Sequence, residues 1–494
     1  MSSYLFELPT TGAISFSDFC YDQSASYISE TADTTEARAN LRAALKEYKR
    51  SDDDEKDYLK LVKILDDYIP KLCGIIACVD NGELVLRTEP IFSWRTTLSS
   101  TLFNTSPRVS LPSLSTELAF TLLTYGFALA NLARAVVISL GSYETERAIS
   151  DTDRKAKDDR LGFAVTLLCK AAGIFEYIAK EVLASWDTAR ELAIVAGTPC
   201  PRPPDLTREI LIGLSKMTLA DAQTLAVRKL LSRAAYDSTL NPGPPLPKSH
   251  PSPALAAKLH LECGSLYSSA RALAKTPGAS RPIHSSQPSK SKTMFKLGSK
   301  DKETKDDSNG SSGEEVSPEL RRYLADEVAL HNALAHKWLG VDVGENGEAN
   351  KEGIAVGFLA WAKKELEELK SGGLGHGGFL PIDREKEMRE CRKARVQAEL
   401  FSVSEFLKGY KRMNDSYAFQ AVPPQSDLQA SIPAGRAAVA IKPYTRPQPA
   451  FGPGSIEYIR RQTEELDLLN AQDDGDSTFK SKDRTTYAGA GSYF

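Results

Sequence analysis

The chain has 494 residues, of which 41% are hydrophobic and 26% are charged, as is ordinary for a soluble globular protein. Its 62 basic and 65 acidic residues give a net charge of −3, so composition offers no support for nucleic-acid binding through the whole surface. The 7 cysteines are scattered and odd in number, which predicts a reducing compartment without disulfide bonds.

The amino terminus has no basic segment followed by a long apolar run, so we expect no signal peptide. The most apolar window, residues 118–140, contains Asn131 and Arg134. Both a membrane span and a buried core helix are open readings of such a window. A central arginine costs about 2.5–3.5 kcal/mol on membrane insertion, so the pattern favours a core helix.

Helical periodicity begins near residue 35 and is clear from residue 58. Residues 82–88 resemble a short strand, and Pro90 blocks a helix just beyond them. The run LVLRTEPIFSW, which ends at Trp94, therefore fits one small β-hairpin arm better than a helix. Two long helices are predicted between residues 115 and 186.

Two further helices are predicted over residues 206–236 and 255–275, after and between proline-rich loops. This alternation indicates stacked antiparallel helix pairs of the tetratricopeptide kind, although no consensus repeat is present. Residues 277–317 are rich in Ser, Lys, Asp and Gly, which predicts a disordered insertion. A basic stretch around Phe295 leaves lipid contact open there, but favours a solvated loop.

The remaining chain is again mostly helical in pattern. The predicted elements are helices over residues 318–339, 347–369 and 383–413, a proline-rich extended segment over 423–449, and a short amphipathic helix over 455–470 with Ser455 as its cap. These patterns divide the chain into one domain over residues 1–450, a short amphipathic helix over 451–472, and a polar flexible tail over 473–494.

No motif of catalytic or metal chemistry stands in its required context. Residues 373–378 match G-x-G-x-x-G, but a helix precedes them where a dinucleotide site needs a strand. His331 and His336 lack the glutamate of a zinc helix, and Cys73 with Cys78 has no second pair. We therefore expect no metal, no cofactor and no enzymatic activity.

The segment over residues 161–182 has apolar residues at the three-to-four spacing of one helix face. The small residues Ala171, Ala172 and Gly173 would let a neighbouring helix come close, and Phe175 would fill the gap beyond them. This helix is thus built for packing.

Four stretches, which follow the family's order along the chain, resemble signatures of the BRO1 domain family. KAAGIFEYI at residues 170–178 resembles its helical signature, and LADAQTLAVRKLL at residues 219–231 resembles its LAQAQE-type helix through Ala222 and Gln223. In that helix Asp221 stands where the family has glutamine.

A third likeness is RMNDSYAFQAVPP at residues 412–424, which resembles the family's Asn-Asp junction through Asn414, Asp415 and Pro423, although the spacing of its aromatic residue is imperfect. AAKLHLECGSLYSSA, residues 256–270, also resembles the helix that follows the LAQAQE-type helix. The resemblance covers roughly residues 1–450.

This resemblance implies an all-α dominated fold: a banana-shaped helical solenoid with a tetratricopeptide-like core and a small β-hairpin or sheet near the N-terminus. A stand-alone BRO1 domain with a polar insertion and a closing amphipathic helix is similar to the fungal pH-response regulators of the family. The chain carries no C-terminal cysteine box, so no lipid anchor is expected.

The resemblance also implies a non-enzymatic adaptor in ambient-pH signalling. Such an adaptor links the alkaline-sensing membrane complex to ESCRT-III and permits proteolytic activation of a transcription factor. Its expected partner is the C-terminal helix of a Snf7-type ESCRT-III subunit, bound helix-in-groove. Motif placement gives Val227, Leu230, Ala256 and Leu259 as groove candidates. The resemblance implies a cytoplasmic protein that its partners recruit to the endosomal membrane or the plasma-membrane cortex.

The sequence leaves three other functions as alternatives. The chain could be a general adaptor in multivesicular-body sorting that does not serve pH signalling. It could be a helical-repeat, peptide-binding chaperone cofactor, which needs a clamp of basic and amide side chains that the sequence does not identify. It could also be an enzyme of unknown type, which needs a buried polar pocket with perturbed acids.

Overall fold

The structure is a computed structural model, and it describes most of the chain. The described residues are 3–23, 25–51, 56–99, 107–147, 149–197, 200–275, 316–347, 351–372 and 383–473, without the side chains of 383–388 and 467–473. The predicted insertion over 277–317 lies outside them except for its last two residues. The glycine-rich motif over 373–378 lies outside them, and so does the predicted tail beyond residue 473.

Helices dominate the described chain, as the resemblance implies. They are α1 (Ile28–Arg50), α2 (Tyr58–Asp80), α3 (Leu114–Leu140), α4 (Asp151–Tyr177), α5 (Leu183–Val195), α6 (Arg208–Leu240), α7 (Pro253–Lys275), α8 (Pro318–Asn346), α9 (Glu352–Gly372), α10 (Asp383–Met413), α11 (Gln425–Ala430) and α12 (Ile456–Asp473). The short helix α11 falls where the proline content predicts only an extended segment.

Among the described residues, four short strands form two separate two-stranded antiparallel sheets. Strand β1 (Cys20–Asp22) pairs with β2 (Leu84–Leu86), and β3 (Ile91–Arg95) pairs with β4 (Arg108–Pro112). The prediction of short strands on both sides of Pro90 is confirmed. The two strands that flank Pro90 belong to different sheets, because β2 pairs back to β1 and β3 pairs forward to β4.

The chain divides into two compact units. Unit 1 comprises residues 1–14, 36–69 and 88–445, and unit 2 comprises residues 15–35, 70–87 and 446–494. In unit 1 the long helices pack in the order α3, α4, α6, α7, α8, α9, α10, each against its neighbours in that series. This serial packing is the solenoid arrangement that the helix–proline loop–helix alternation predicts.

In the part of the chain that the structure describes, three helical stretches are long and apolar enough to cross a membrane by length and composition: Leu114–Thr145, Asp151–Val195 and Arg208–Leu240. In each, most of the apolar window is buried inside the protein. Asn131 and Arg134 of α3 have partners there: the Asn131 side chain bonds both backbone groups of Phe6 at 2.8 and 2.9 Å, and Arg134 donates to the carbonyl of Ser3 at 2.9 Å. The structure therefore accounts for the apolar run of α3 as core, as predicted.

Helices α3 and α4 approach most closely at Gly126. A side chain there would collide with the ring of Phe175, 2.5 Å from the position of a Cβ atom. The Phe175 ring is fully buried and lies 5.7 Å from the ring of Phe127. Phe175 thus fills the interhelical gap as predicted, but the small residue that admits it belongs to the neighbouring helix.

A buried glutamate joins α1, α2, β3 and α3 in unit 1. The Glu117 carboxylate accepts hydrogen bonds from Arg38 at 2.8 and 3.2 Å, from Tyr68 at 2.9 Å, and from the indole of Trp94 at 2.8 Å. All four side chains are almost completely buried. Arg38 supplies the counter-charge that a buried carboxylate needs.

Unit 2 contains α12, whose first turn is anchored. The Ser455 hydroxyl accepts the backbone N–H of Tyr458 at 3.2 Å, which confirms the predicted cap. The Tyr458 hydroxyl donates to Glu83 at 2.9 Å. Beyond this turn the apolar residues Ile459 and Leu466 are exposed, so the predicted amphipathic stripe of α12 faces solvent.

Candidate functional site

A segment without regular secondary structure, residues 433–445, crosses the surface of α7, α6 and α4 in unit 1; we call it the strap. Its Arg436 N–H donates to the carbonyl of Lys258 on α7 at 2.9 Å. Its Lys442 N–H donates to the carbonyl of Cys169 on α4 at 3.1 Å. The prediction that the proline-rich chain lies extended along the surface is confirmed for this segment.

The signature helix α4 receives the strap at Gly173. A Cβ atom at this position would lie 1.9 Å from the carbonyl oxygen of Lys442, so only glycine fits. Ala171 and Ala172 are fully buried. The prediction that these small residues admit a neighbouring helix is therefore wrong at Gly173, which admits the backbone of the strap.

The LAQAQE-type helix α6 holds the strap through Gln223. The Gln223 amide donates to the carbonyl of Arg436 at 2.8 Å and accepts the N–H of Ala438 at 2.7 Å. These two bonds satisfy a backbone carbonyl and a backbone N–H of the extended segment, which a neighbouring strand would otherwise pair. The preceding Ala222 is fully buried.

The Asn-Asp junction ends α10 and turns the chain back toward the strap. Helix α10 continues as a π-helical turn, Asn414–Ala418. The buried Asn414 side chain accepts the N–H of Gln420 at 2.9 Å and donates to its carbonyl at 3.0 Å. Asp415 is exposed and Pro423 is half-buried. These three sequence signatures thus fix the course of the returning chain.

Beside the strap, neighbouring helices present apolar side chains to solvent. Phe163 on α4 lies ten residues before Gly173 and is 50% exposed. Ala226 and Leu230 follow Gln223 on α6 by three and seven residues, which places them on the strap-bearing face of that helix. Both are half-buried.

The two helices are antiparallel, because Arg154 near the start of α4 bonds the carbonyl of Ser232 near the end of α6 at 3.1 Å. Phe163 and Leu230 therefore lie on the same side of the strap. Half-buried Leu255 of α7, three residues before Lys258, extends the row. We call Phe163, Ala226, Leu230 and Leu255 the apolar face.

The groove candidates from the sequence lie in different places. Val227, Ala256 and Leu259 are buried in the helix packing, with at most 3% of each exposed, and only Leu230 reaches the surface. Each residue turns an α-helix by 100°, so Ala226 and Leu255, one position before Val227 and Ala256, point outward. The role of these residues in partner binding stays a prediction. The side chains of Val227, Ala256 and Leu259 are buried in this structure, so a partner cannot contact them here.

Positive charge surrounds the apolar face. Lys170, Lys229 and Arg233 are exposed on α4 and α6, against exposed Asp159. The ammonium of Lys229 lies 3.2 Å from the position of a Cβ atom on Gly162, so it extends across α4 beside Phe163. The face therefore combines apolar contact area with a basic border, which suits an amphipathic helix that carries acidic residues.

Beneath this face, the core between α6, α7 and α8 holds a polar network. Asp221 accepts hydrogen bonds from Tyr267 at 2.5 Å and Tyr323 at 2.7 Å. Burial raises the pKa of the Asp221 carboxyl to about 7, although these two hydrogen bonds oppose the rise. Burial lowers the pKa of His260 to about 3, and its ring nitrogen lies 3.0 Å from His331.

The side chains of this network are buried: Asp221, His260 and His331 are each at most 5% exposed. His331 contacts the Thr224 hydroxyl at 3.1 Å. Among the described residues no group of three or more His, Cys, Asp or Glu side chains is placed to hold a metal ion.

Comparison with known proteins agrees with the fold and the sequence signatures. The family model described as a BRO1-like domain matches residues 17–452. The chain belongs to the BRO1 domain family. The predicted family membership is confirmed.

Within this family, the chain is similar to curated pH-response regulators. The chain is 37% identical over its full length, and over the full length of the relative, to pH-response regulator protein palC of Cryptococcus neoformans var. neoformans serotype D (strain B-3501A). It is 25% identical to the palC protein of Yarrowia lipolytica (strain CLIB 122 / E 150), covering 90% of this chain and 94% of that protein. The predicted likeness to PalC is confirmed.

Solved structures share the fold at low sequence identity. The BRO1 domain of ALIX in a CHMP4C complex matches with a TM-score of 0.53 at 15% identity, over 90% of this chain and 96% of that chain. A structure that describes endosomal targeting by the Bro1 domain matches with a TM-score of 0.51 at 16% identity, over 96% of this chain and 98% of that chain. The predicted BRO1 fold is confirmed.

Proposed function

We propose that the protein is a non-enzymatic adaptor of fungal ambient-pH signalling. It links the alkaline-pH sensing membrane complex to ESCRT-III and so permits proteolytic activation of a pH-responsive transcription factor. The observation that supports this pathway is the 37% identity, over both full lengths, to a pH-response regulator. The protein is cytoplasmic and is recruited to the endosomal membrane or the plasma-membrane cortex through its partners.

The partner helix in this proposal is the amphipathic C-terminal helix of a Snf7-type ESCRT-III subunit. It lies on the apolar face, with its own apolar stripe against Phe163 and Leu230. The exposure of Phe163 supports this location, since half of this large apolar side chain is open to solvent beside the Lys229 ammonium. The CHMP4C complex of the ALIX BRO1 domain supports the class of partner.

The test is binding of the full chain to a fluorescent peptide with the sequence of that C-terminal helix. Phe163→Asp and Leu230→Asp each place a charge in the contact, and each weakens binding by about tenfold or more, because a tenfold change corresponds to about 1.4 kcal/mol. Leu192→Asp is the matched control, since Leu192 on α5 is 67% exposed and lies outside the apolar face. Its binding equals that of the unchanged chain.

Equal binding by all four proteins would show that the apolar face is not the site, and no binding by the folded unchanged chain would remove the ESCRT-III partner. Two alternatives then stand: a general BRO1 adaptor in multivesicular-body sorting, or a peptide-binding helical scaffold unrelated to ESCRT. Growth separates the first alternative from pH signalling. Cells with Phe163→Asp fail on alkaline medium under the proposal, while a sorting adaptor loses endosomal cargo sorting at every pH.

A further inference from the structure

Two aromatic side chains project from the turn that follows α10. Tyr417 is 85% exposed and Phe419 is 75% exposed, and Met413 one turn earlier is 46% exposed. Among the large hydrophobic residues of the described chain, only Val195 is more exposed than Tyr417. We call Met413, Tyr417 and Phe419 the aromatic tip.

The backbone holds Phe419 in this position at a cost. Phe419 has φ +51°, in the left-handed region that bulky side chains rarely adopt. Its N–H donates to the carbonyl of Asn414 at 2.7 Å, and the Asn414 side chain fixes Gln420 by two hydrogen bonds. Strain of this kind persists only where the surrounding structure fixes it, and here the result is an aromatic ring displayed to water.

The charge around the tip is basic. Lys408, Lys411 and Arg412 lie in the last turns of α10 and are exposed, against exposed Asp415 in the turn itself, while Glu405 and Asp427 lie further along the chain on either side. The neighbouring helix α9 begins beside this turn, since a Cβ atom on Gly353 would lie 2.3 Å from the carbonyl of Ala421. There Lys351 and Glu352 cancel, so the tip keeps a positive border.

A convex apolar tip with a positive border matches a lipid surface better than a protein groove. Aromatic side chains favour the membrane–water interface. Basic residues beside them are attracted to the negative surface of anionic lipids. A partner helix needs a row of apolar side chains such as the apolar face, whereas Tyr417 and Phe419 are two neighbouring rings with most of each side chain in solvent.

We propose that the aromatic tip is a direct membrane-docking site, in which Tyr417 and Phe419 insert into the interface of an anionic bilayer and Lys408, Lys411 and Arg412 contact its phosphate and carboxylate groups. This site is separate from the apolar face and does not require an ESCRT-III partner. It gives the protein a weak lipid contact of its own, which adds to recruitment by protein partners through effective concentration.

The experiment is cosedimentation of the full chain with vesicles of equal parts phosphatidylcholine and phosphatidylserine, and with vesicles of phosphatidylcholine alone. The chain binds the mixed vesicles, and added salt weakens the binding. Phe419→Asn with Tyr417→Ser reduces vesicle binding about tenfold through the loss of buried apolar area. Asparagine accepts the left-handed conformation, so this variant keeps the backbone of the turn.

Two further variants make the outcome decisive. Phe401→Gln removes an aromatic residue of α10 that is 57% exposed but lies outside the tip, and it binds vesicles like the unchanged chain. Lys411→Glu with Arg412→Glu loses binding to the mixed vesicles. The proposal is overturned if the folded chain binds no vesicles, if the tip variant binds as well as the unchanged chain, or if Phe401→Gln weakens binding equally. Capture of a protein by the tip without vesicle binding also overturns it.

Discussion

Glu117 and Asp221 are two buried carboxylates of unit 1 that are held in different ways. Glu117 contacts a guanidinium, and it raises the pKa of Arg38 above its ordinary value even though burial alone would lower it. Asp221 receives only two tyrosine hydroxyls. The difference teaches that hydrogen bonds from neutral groups do not offset the desolvation of a carboxylate as an adjacent cation does.

The ionisation of the two sites therefore affects stability differently. The Glu117 site is a charged pair, and removing one partner leaves the other charge buried without compensation. The Asp221 site holds a proton more tightly in the folded chain than in the unfolded chain, because its pKa rises from 3.8 to about 7. Three changes test this comparison.

The largest effect is expected from Glu117→Ala. It leaves Arg38 buried without a counter-charge, and the free energy of unfolding falls by about 3–5 kcal/mol. Urea denaturation measures the loss. Glu146→Ala is the matched control: it breaks the more exposed Glu146–Lys157 pair at 3.2 Å and costs at most about 1 kcal/mol. Similar losses for the two variants would show that burial does not set the strength of these pairs.

Asp221→Asn is expected to remove a pH dependence. Because the folded pKa is raised, the stability contribution of Asp221 is fully present below pH 3.8 and is lost as pH rises toward about 7. The difference between the two pKa values corresponds to about 4 kcal/mol. Asparagine cannot ionise and can still accept from both tyrosines, so the free energy of unfolding of the variant rises relative to that of the unchanged chain as pH increases from 3.8 to about 7.

Urea denaturation of both proteins at the two ends of that range measures this gain. Glu327 and Arg395 also act on Asp221, from α8 and α10, but they are common to both proteins. The same difference in unfolding free energy at acidic and alkaline pH would contradict the raised pKa of Asp221.

The smallest effect is expected from Tyr323→Phe, which removes one of the two hydrogen bonds to Asp221. The free energy of unfolding falls by about 1 kcal/mol. Since this hydrogen bond lowers the pKa of Asp221, its loss raises that pKa further, and the fall in stability with rising pH continues to a higher pH. Tyr267→Phe should behave alike, and a shift toward lower pH in either variant would show that the tyrosines do not stabilise the carboxylate.

Much of the fold could be predicted from sequence because helix periodicity and proline loops are local. The predicted span 383–413 is α10 itself, and the cap at Ser455 was identifiable from the residue type before an apolar stripe. The strand-like pattern on either side of Pro90 predicted short strands, but it could not show that β2 pairs back to β1 while β3 pairs forward to β4. The sequence also could not show whether Ala226 or Val227 faces outward from α6, since both residues are apolar enough for either face.

The sequence by itself determined the helical series, the family signatures and the absence of any recognisable catalytic motif. Only the tertiary structure decided what the signatures do: Gly173, Gln223 and Asn414 each direct the returning chain, because they meet it from three separate helices. The tertiary structure also decided that burial raises the pKa of the Asp221 carboxyl, and it decided which aromatic residues stay in water. These properties depend on the groups packed around each side chain, and long-range packing is not written in local sequence pattern.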